Sequence, residues 1–374
     1  MSKNILFILH CPPPVHGSSI VGQSIKNSSK INNYFECRYI NLLVSRTIDD
    51  TGKAGFLKII RFIGVWTKLL IEIFKKKPDL CYLALTATGA AFYKDVLLIA
   101  LLRIAHIKRI YHLHNKGVSK HQLNRINRIL YSFVFKDADV ILLSKTLYQD
   151  IKFFVPESRV SICPNGTEDA FPNFKPRFNP NKSSIKIVFL SNLIESKGVF
   201  VLLDACSLLQ QKNIDFECDF IGAEGDITIS QFNKKIIQQQ LNSKVHYLGK
   251  KYGKEKNEIL EKADIFAFPT YYSNECFPLV LLEAMSAGLP VVSTFEGGIP
   301  DIVQEDVTGF VVPQRDSIAL SIQLERLILN PELRYKMSNA ARNKFENEFK
   351  FDIFQQRMIK ILDSLFLTDF NIKM

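Results

Sequence analysis

The chain has 374 residues, of which 47% are hydrophobic and 23% charged, and a formal net charge of +11. This length exceeds one ordinary core and is enough for two domains of common size. The composition excludes intrinsic disorder, and seven scattered cysteines without a CxxC pair suggest neither a disulfide framework nor a zinc site. Residues 1–14 carry one lysine and a short apolar run, so we expect an opening strand rather than a secretory signal.

The excess of positive charge lies in the first half of the chain. Residues 1–170 carry 24 Lys and Arg against 12 Asp and Glu, a balance of +12. The remaining residues carry 24 against 25, a balance of −1. This asymmetry indicates that the two halves meet different partners, and that the first half meets an anionic one.

Short apolar strands alternate with longer helical patterns along both halves, which is typical of parallel sheets flanked by helices. In the first half, strands are predicted at 4–9, 80–84, 109–114 and 140–144. In the second half, they are predicted at 185–191, 216–221, 245–248, 265–269 and 290–293. The prediction is an α/β fold of two doubly wound, Rossmann-like domains facing a cleft, because ligands of such sheets bind at the carboxyl ends of the strands.

A stretch at 164–184 concentrates proline, asparagine and glycine with little periodicity, which is typical of a linker. We therefore predict a first domain at 1–170 and a second at 171–350. A last helical pattern at 351–374 follows them.

One segment has the composition of an interfacial helix. At 53–80, apolar residues recur at helical spacing, Trp66 lies mid-helix, and three lysines follow at 75–77. Such a helix suits an anionic membrane surface. The alternative is a crossover helix whose apolar face packs on the first sheet and whose lysines are solvated. The sequence has no apolar run long enough to suggest a membrane-spanning helix.

The most unusual pattern is SNECFPLVLLEAMSAGLPVV at 273–292, an apolar run with Glu275 near its start and Glu283 inside it. Pro278 suits the first position of a helix, and Gly288 suits the residue that follows one, so a helix is predicted from about 278 to 287. Its free N–H groups follow a strand and form an anion site. A carboxylate within this run needs hydrogen-bond donors, which sugar hydroxyls would supply. The alternatives are an ion pair for Glu283 and a plain loop carboxylate for Glu275.

Two further segments supply matching groups. Gly297 and Gly298 follow the next strand, and Pro300 begins another helix, so more backbone N–H groups can approach the same anion. Lys197 precedes Gly198 and a helix after an earlier strand. Two helix N-termini and one lysine at the ends of successive strands can hold a diphosphate without a metal. Taken alone, Lys197 would be read as a surface lysine.

The order of these motifs resembles that of a known family. The segments SKG, GxEG, FPT, ExFPLVLLEAMxxGLPVV, EGGIPDIV and TGFVVP succeed one another within 188–313. The set resembles the retaining nucleotide-sugar glycosyltransferases of family 4, group 1 enzymes with the two-domain GT-B fold. In the first half the resemblance is thinner, at 11–19, His114, Ser144 and 165–166.

The resemblance implies roles for the matching residues of the second half. Glu275 and the backbone after it would contact the donor sugar and the diphosphate, and Glu283 would hold the ribose hydroxyls. Lys197 would neutralise charge on the leaving diphosphate. Loops at 221–226 and 247–251 would surround the nucleoside. The substrate-binding residues expected in this half are Asn192, Gly222, Gly249, Cys276, Phe277, Pro278, Leu279, Glu283 and Gly298.

In the first half the resemblance points to a histidine and a loop. His114 ends a predicted strand where such enzymes place a histidine beside the donor sugar. His112, two residues earlier, is expected to point to the opposite face as a core histidine. The loop after the first strand resembles the family's glycine-rich acceptor-side loop and supplies Gly17 and Ser18, with His16 at the position of a second glycine. The expected catalytic residues of the chain are His114, Lys197 and Glu275.

Two features depart from the expected chemistry. Asn192 stands where the family commonly has an arginine, so either its amide donates neutral hydrogen bonds to the diphosphate or a basic residue from elsewhere substitutes. The triplet Asp137-Ala138-Asp139 matches the Asp-x-Asp of metal-dependent transferases, but it precedes an apolar strand, and we interpret it as solvated charge at a helix end. We expect no metal and no cofactor besides the nucleotide sugar as co-substrate.

The function implied by the resemblance is a retaining, metal-independent transfer of a hexose from a UDP- or GDP-sugar to a hydroxyl. The acceptor would be a glycan or a polyprenyl-diphosphate-linked glycan, as in bacterial capsule or lipopolysaccharide synthesis. The first domain would bind the acceptor, the second the donor, and the last helix would cross back to the first domain. A cytoplasmic location, peripheral at the inner membrane face, and no nucleic-acid partner are expected.

Two alternatives remain open. A nucleotide-sugar 2-epimerase can share this architecture and needs no acceptor. A catalytically silent nucleotide-sugar-binding protein would fit Asn192 and the altered first loop. A dinucleotide-dependent oxidoreductase is disfavoured because no GxGxxG follows the first strand.

Overall fold

The computed structural model describes residues 3–42, 56–176, 178–180, 182 and 184–367. The chain divides into two compact units. The first comprises Met1–Asn165 and Asp352–Met374, and the second comprises Gly166–Phe351.

The first unit is built on a parallel sheet. Its strands are β1 (Asn4–Leu9), β2 (Glu36–Asn41), β3 (Leu80–Leu83), β4 (Lys108–Leu113), β5 (Asp139–Leu142) and β6 (Val160–Ile162). Its helices are α1 (Gly17–Asn27), α2 (Ser29–Tyr34), α3 (Phe56–Lys75), α4 (Gly89–Ile104), α5 (Val118–His121), α6 (Arg125–Phe135) and α7 (Tyr148–Ile151). The strand order is β2-β1-β3-β4-β5-β6.

The second unit repeats this architecture. Its strands are β7 (Ile185–Leu190), β8 (Phe216–Ile221), β9 (Val245–Gly249), β10 (Ile265–Phe268), β11 (Val291–Thr294) and β12 (Gly309–Val312). Its helices are α8 (Val199–Gln211), α9 (Ile229–Gln238), α10 (Gly253–Lys262), α11 (Leu279–Ser286), α12 (Ile299–Ile302), α13 (Ser317–Leu329) and α14 (Pro331–Lys344). The strand order is β12-β11-β10-β7-β8-β9, which reverses direction between β7 and β10.

The last helix, α15 (Phe351–Leu367), belongs almost entirely to the first unit. It is tied there by a hydrogen bond between Ser28 and Gln355 and by an ion pair between Lys3 and Asp363. The first unit is therefore closed by a segment distant in sequence from its sheet.

All nine predicted strands are present, and the predicted α/β class with two doubly wound sheets is confirmed. β1 and β8 have the predicted bounds, and the others differ by one or two residues at their ends. Three strands, β2, β6 and β12, were not predicted. β2 and β6 are the half-buried edges of the first sheet and lack a continuous apolar run, and β12 has only four residues. Short or edge strands give a weak sequence pattern, which explains the omissions.

The cores lie around the two sheets, because the central strands are buried along their whole length. Every residue of β1, β3, β10 and β11 is buried. A parallel sheet covered by helices on both faces needs apolar side chains on both faces. This requirement explains why sequences such as NILFIL and IFAF are nearly continuous in apolar residues.

Helix α3 occupies most of the segment predicted as either an interfacial or a crossover helix. It packs against β2 and α4, with Leu69 buried, and Arg38 of β2 donates a 2.8 Å hydrogen bond to Glu72. α3 is therefore the crossover between β2 and β3. Residues 53–55 of the predicted segment lie outside the described residues. Among the described helices, none combines the length and apolarity needed to cross a bilayer.

A buried cation joins the linker to the helices of the second unit. The Arg342 guanidinium donates to both carboxylate oxygens of Asp169, at 2.8 and 2.6 Å, and to the Ser286 carbonyl at 2.6 Å. It also pairs with Glu346 at 2.8 Å. Although burial lowers the pKa of Arg342, its hydrogen bonds and ion pairs with Asp169 and Glu346 raise it overall. Arg342 thus anchors the end of α11 to α14 and to the first residues of the second unit.

We predict that Arg342→Met destabilises the second unit by about 2 kcal/mol or more, because the Ser286 carbonyl and the Asp169 carboxylate lose a buried guanidinium and only Asp169 keeps another cation, Lys350 at 3.2 Å. The change is measured as the denaturant midpoint of the second unit. Arg326→Met is the matched control, since Arg326 pairs with Asp306 on the exposed surface and should cost less than about 1 kcal/mol. Equal losses for the two variants would contradict the anchoring role.

Candidate functional site

The strand order of the second sheet creates a natural ligand position. Segments leaving β7 and β10 diverge at the reversal, and ligands of open parallel sheets bind in the crevice that results. Lys197 lies in the turn after β7, and Glu275 lies in the loop after β10. The topology therefore brings these two sequence-predicted residues to one point.

Lys197 and Glu275 form an ion pair at this point. The Lys197 Nζ donates to Glu275 Oε2, and the two side chains are only 16% and 11% exposed. The same Nζ lies 4.5 Å from the centre of the Tyr272 ring and 5.6 Å from that of Phe268. Aromatic faces attract an ammonium group electrostatically. Lys197 is thus a held cation rather than a free surface lysine, and Glu275 is not a plain loop carboxylate.

The glycine after Lys197 is required by the close approach of two loops. Gly198 has φ of +88°, and a Cβ there would lie 2.2 Å from the Pro269 carbonyl oxygen. A side chain would therefore be strained by both backbone conformation and contact. The SKG motif thus sets the distance between the loop after β7 and the loop after β10.

Helix α11 begins beside Glu275. Its first residue is Leu279, and Pro278 occupies the N-cap with φ of −68° and ψ of 118°, so the predicted start is one residue too early. The fixed φ of proline suits both the N-cap and the first helical position. The extended ψ of Pro278 makes it the N-cap. Within the described residues, no side chain caps this end. The first N–H groups of a helix lack helical acceptors and attract anions. Gly288, with φ of +67°, follows the helix as predicted.

The residues between Glu275 and this helix offer backbone rather than side chains. Cys276 and Phe277 are each 4% exposed. The Phe277 ring packs edge-on against Phe349 with centroids 5.9 Å apart. Of the predicted substrate-binding residues, these two can therefore contribute only peptide groups.

The glycine pair after β11 contacts the backbone of the loop that carries Glu275. Gly298 N–H donates to the Cys276 carbonyl at 2.6 Å. Gly297 has φ of +55°, and a Cβ there would lie 2.2 Å from the Glu275 carbonyl oxygen. The loop after β11 is thus in contact with the loop that carries Glu275, and only glycine permits the approach.

Glu283 also has a lysine partner, supplied by a different helix. Lys256 Nζ of α10 lies 2.9 Å from Glu283 Oε2, with 20% and 27% of the side chains exposed. This contact is an ion pair without hydrogen-bond geometry, since Oε2 has no hydrogen-bond partner among the described residues. The ion-pair alternative for Glu283 is therefore present in the structure. A carboxylate has about four acceptor sites, so Glu283 can accept donors besides Lys256.

Asn192, Gly222 and Gly249 lie together at the β7–β8–β9 end of the sheet. The Asn192 side-chain oxygen accepts the Ala223 N–H at 3.1 Å, and Gly222 N–H donates to the Gly249 carbonyl at 3.0 Å. Gly222 has φ of +156°, and a Cβ there would lie 1.9 Å from the carbonyl of Ser191. Asn192 therefore fixes the neighbouring loop through its oxygen, a role that its sequence position did not indicate.

A group of histidines lies at the carboxyl ends of β1 and β4 in the first unit. The His10 and His16 ring centroids are 6.2 Å apart, and His16 Nδ1 lies 3.0 Å from the Ser18 hydroxyl. His114 is partly exposed, and burial together with His16 lowers its pKa to about 4. Burial lowers the pKa of His10 to about 3, with smaller effects from His16, His114 and Lys94. These rings are neutral at physiological pH, and a Cβ at Gly17 would meet open space.

The expected orientation of His112 is wrong. Its ring lies 4.1 Å from that of His114, on the same side of the sheet, because side chains two residues apart in a strand share a face. His112 is nevertheless a fully buried core residue, bonded to the Tyr82 hydroxyl at 2.5 Å. It therefore lies beneath His114 rather than behind the sheet.

The Asp-x-Asp triplet has the position that its sequence context predicted. Asp137 follows α6 with φ of +58°, is largely exposed and lies 3.7 Å from Arg159. Asp139 begins β5. Over the described ranges, no three His, Cys, Asp or Glu residues are grouped as metal ligands would be.

Three residues at the second-unit site were missed by sequence reasoning. Lys256 pairs with Glu283, Tyr272 lies against Lys197, and the Arg315 guanidinium lies 4.4 Å from the Tyr271 ring centre. Each is separated from its functional neighbours by a loop or a helix, and none belongs to a motif. Only Tyr272 could have been found from the sequence, because it belongs to the aromatic pair that directly follows the FPT motif.

Comparison with known proteins places this geometry in a family. Residues 170–344 match the family described as Glycosyl transferases group 1. The amylovoran biosynthesis glycosyltransferase AmsK of Erwinia amylovora is 30% identical over 270 residues, which cover 71% of this chain and 66% of that protein.

Residues 170–344 therefore form a group 1 glycosyl transferase domain.

Other similarities agree with this family. The capsular polysaccharide biosynthesis glycosyltransferase CapM of Staphylococcus aureus is 23% identical over 238 residues, covering 60% of this chain and 61% of CapM. The match therefore spans less than two thirds of the length of either relative. The crystal structure of Anabaena HepE in complex with UDP shares the fold, with a TM-score of 0.75 at 18% identity, covering 96% of this chain and all of that one.

The neutral histidines predict acid sensitivity of the first unit. The pKa of His10 is lowered to about 3, that of His114 to about 4, and that of His112 well below 6.5. Between pH 6.5 and 4 the unfolded chain therefore binds these protons and the folded chain does not, so stability falls with acidification. Burial raises the pKa of Asp95 to about 7, so over this range the folded chain holds a proton on Asp95 that the unfolded chain releases. This group therefore opposes the effect of the histidines by one proton. Burial also lowers the pKa of His16, so we expect a net uptake of at least about two protons on unfolding near pH 5.

The measurement is the denaturant midpoint of the first unit at several pH values from 7 to 4.5. His114→Asn should reduce the slope by about one proton. A midpoint independent of pH over this range would show that the histidines are not held neutral.

Proposed function

We propose that this group 1 glycosyl transferase moves a hexose-type sugar from a nucleotide donor to a hydroxyl with retention of anomeric configuration. The observation that carries the proposal is the Lys197–Glu275 pair, held beside the N-terminus of α11 at the strand reversal of the second sheet. A held ammonium, free helical N–H groups and two carboxylates form a set suited to a sugar diphosphate.

The ion pair suggests how donor binding is coupled to sugar recognition. In the structure, Lys197 and Glu275 form an ion pair. A donor diphosphate would be the stronger partner for Lys197, because it carries more negative charge than one carboxylate. Glu275 would then be released to accept hydrogen bonds from the hydroxyls of the transferred sugar. Binding of the phosphate thus prepares the group that reads the sugar.

Glu283 is proposed to hold the ribose. Its carboxylate, on a side chain that is 27% exposed, can accept a hydroxyl hydrogen bond while the ion pair with Lys256 holds it in place. Gly222 and Gly249 would allow close approach of the nucleoside to backbone. Arg315 is a candidate for the cation that the family commonly supplies at the position of Asn192, since Tyr271 beneath it bonds to Ser196, next to Lys197.

The proposed reaction is a front-face displacement. The acceptor oxygen forms a bond to the anomeric carbon on the side from which the diphosphate leaves. The bond between that carbon and the phosphate oxygen breaks, and the leaving phosphate oxygen takes the acceptor proton. The products are the glycoside and a nucleoside diphosphate. Lys197 and the α11 N–H groups stabilise the charge that develops on the leaving group. His114, being neutral, would orient the sugar or stabilise positive charge rather than act as nucleophile.

The acceptor is proposed to be a glycan carried on a polyprenyl diphosphate, in bacterial surface polysaccharide synthesis. The names of AmsK and CapM, for amylovoran and capsular polysaccharide, support this proposal. The balance of +12 in residues 1–170 suits an anionic carrier at a membrane. We place the enzyme in the cytoplasm, peripheral to the inner face of the membrane, with no nucleic-acid partner.

The donor is identified by thermal shift with UDP, GDP and their sugars, because a ligand that binds only the folded state raises its melting temperature. Sugar isomerisation without acceptor would indicate the 2-epimerase alternative. Donor binding without hydrolysis or transfer would indicate a silent binding protein.

We predict that Lys197→Ala and Glu275→Ala each lower kcat for sugar transfer by about 100-fold or more at saturating donor, because each removes a group needed at the reacting centre. The measurement is transfer of labelled sugar from the donor identified above. Lys186→Ala is the matched control, since Lys186 lies on β7 but pairs with Glu217 on the exposed surface. Parent-like rates for either site variant would refute the assignment.

We also predict that transfer is independent of divalent metal, since Lys197 and the α11 N–H groups would replace the cation that otherwise neutralises a leaving diphosphate. The assay compares rates after treatment with excess EDTA and after addition of Mg²⁺ or Mn²⁺. Loss of activity with chelator and its recovery with metal would overturn this part of the proposal.

A further inference from the structure

One surface of the first unit leaves large apolar side chains exposed along three neighbouring helices. In the strand order β2-β1-β3-β4-β5, the crossovers carrying α3, α4 and α6 all run in one direction. Right-handed crossovers in one direction place their helices on one face of a sheet. α3 packs against α4, and α4 against α6. We call the outer side of these helices the three-helix face.

Helix α3 presents an apolar stripe to solvent. Ile60, Ile63, Ile71 and Phe74 are 49%, 53%, 63% and 84% exposed. With Thr67 between them, they recur every three or four residues, so they lie on one side of the helix. An amphipathic helix in a globular protein normally turns such a stripe inward. Here the outward side is apolar as well.

The next two helices continue the pattern. Tyr93, Leu97 and Ile104 of α4 are 48%, 54% and 76% exposed, at spacings that again align them on one side. Ile126 and Ile129 of α6 are 65% and 68% exposed. Single exposed apolar residues are ordinary, but repeated stripes on adjacent helices mark an interaction surface.

The charge on the three-helix face has a single sign. The three helices contain only two carboxylates, and neither is available: Glu72 pairs with Arg38, and Asp95 is buried. Exposed cations include Lys68, Lys75 and Arg128. A face that is both apolar and cationic matches a surface of anionic headgroups over hydrocarbon.

We propose that the three-helix face is where the protein docks on an anionic bilayer. The apolar stripes would enter the boundary between headgroups and acyl chains, and the flanking lysines and arginines would contact lipid phosphates. A second copy of the chain fits less well, because a two-fold contact would set this cationic face against itself. The inference rests on the membrane-linked acceptor of the proposed function, and it names the surface that meets the membrane.

The test uses the full chain and sedimentation with two kinds of vesicle, phosphatidylcholine alone and phosphatidylcholine with phosphatidylglycerol at about 3:1. We expect binding to the anionic vesicles at low salt, at least about tenfold less to the neutral ones, and partial release at high salt. Equal binding to both kinds, or no binding to either, would overturn the proposal.

Variants locate the surface. Ile71→Ser with Phe74→Ser, and separately Ile104→Ser with Ile129→Ser, should each reduce binding to anionic vesicles at least about tenfold. These side chains are exposed, so melting temperatures should not change. Ile237→Ser with Ile318→Ser is the matched control in the second unit, where the two side chains are 63% and 64% exposed. Parent-like binding by both face variants would refute the assignment.

Two further measurements separate this inference from the proposed function and from self-association. Lys197→Ala should bind vesicles like the parent even if it has lost transfer, whereas the face variants should keep the thermal shift caused by the donor. Light scattering after gel filtration should show the same mass for the parent and the face variants. A parent dimer that dissociates in these variants would assign the face to a second copy and overturn the membrane proposal.

Discussion

The organisation of the second unit depends on one ion pair at the point where its sheet reverses direction. Lys197 and Glu275 come from loops 78 positions apart in sequence, and both loops are held by close backbone contacts that only glycine allows. Gly198 lies against Pro269, and Gly297 lies against the Glu275 carbonyl. A shift in either loop would separate a partly buried ammonium from its carboxylate, at a large cost in free energy. The pair therefore fixes the geometry of the loops at the mouth of α11.

Both acids of the Glu-x7-Glu motif are paired with lysines, and the two pairs differ. Lys197 and Glu275 are hydrogen-bonded and shielded by Tyr272 and Phe268. Lys256 and Glu283 are more exposed and lack hydrogen-bond geometry. On the proposed function, the first pair exchanges partners when a diphosphate binds, and the second keeps its lysine while accepting a hydroxyl. One motif would thus serve two tasks because its surroundings differ.

The first unit has a different physical character. Its histidines are kept neutral by burial, and part of its excess positive charge lies on helices that also expose apolar stripes. Exposed charge and neutral histidines are compatible because the histidines lie at the carboxyl ends of β1 and β4, whereas Lys68, Lys75 and Arg128 are exposed on helices of the three-helix face. The C-terminal helix α15 closes this unit through Ser28 and Lys3.

The sequence by itself determined the parallel sheets and the positions of Lys197 and Glu275 in loops after strands, since buried strands need continuous apolar runs and each of these residues lies in the segment that follows such a run. It failed at the edge strands β2 and β6, whose half-exposed residues carry no such run, and it misplaced His112, which shares the face of His114. Only the tertiary structure decided that Lys256 meets Glu283, that Asn192 bonds to Ala223, and that α3, α4 and α6 lie side by side with apolar residues outward. These contacts join residues far apart in the chain, and sheet order and helix packing, which no local pattern encodes, bring them together.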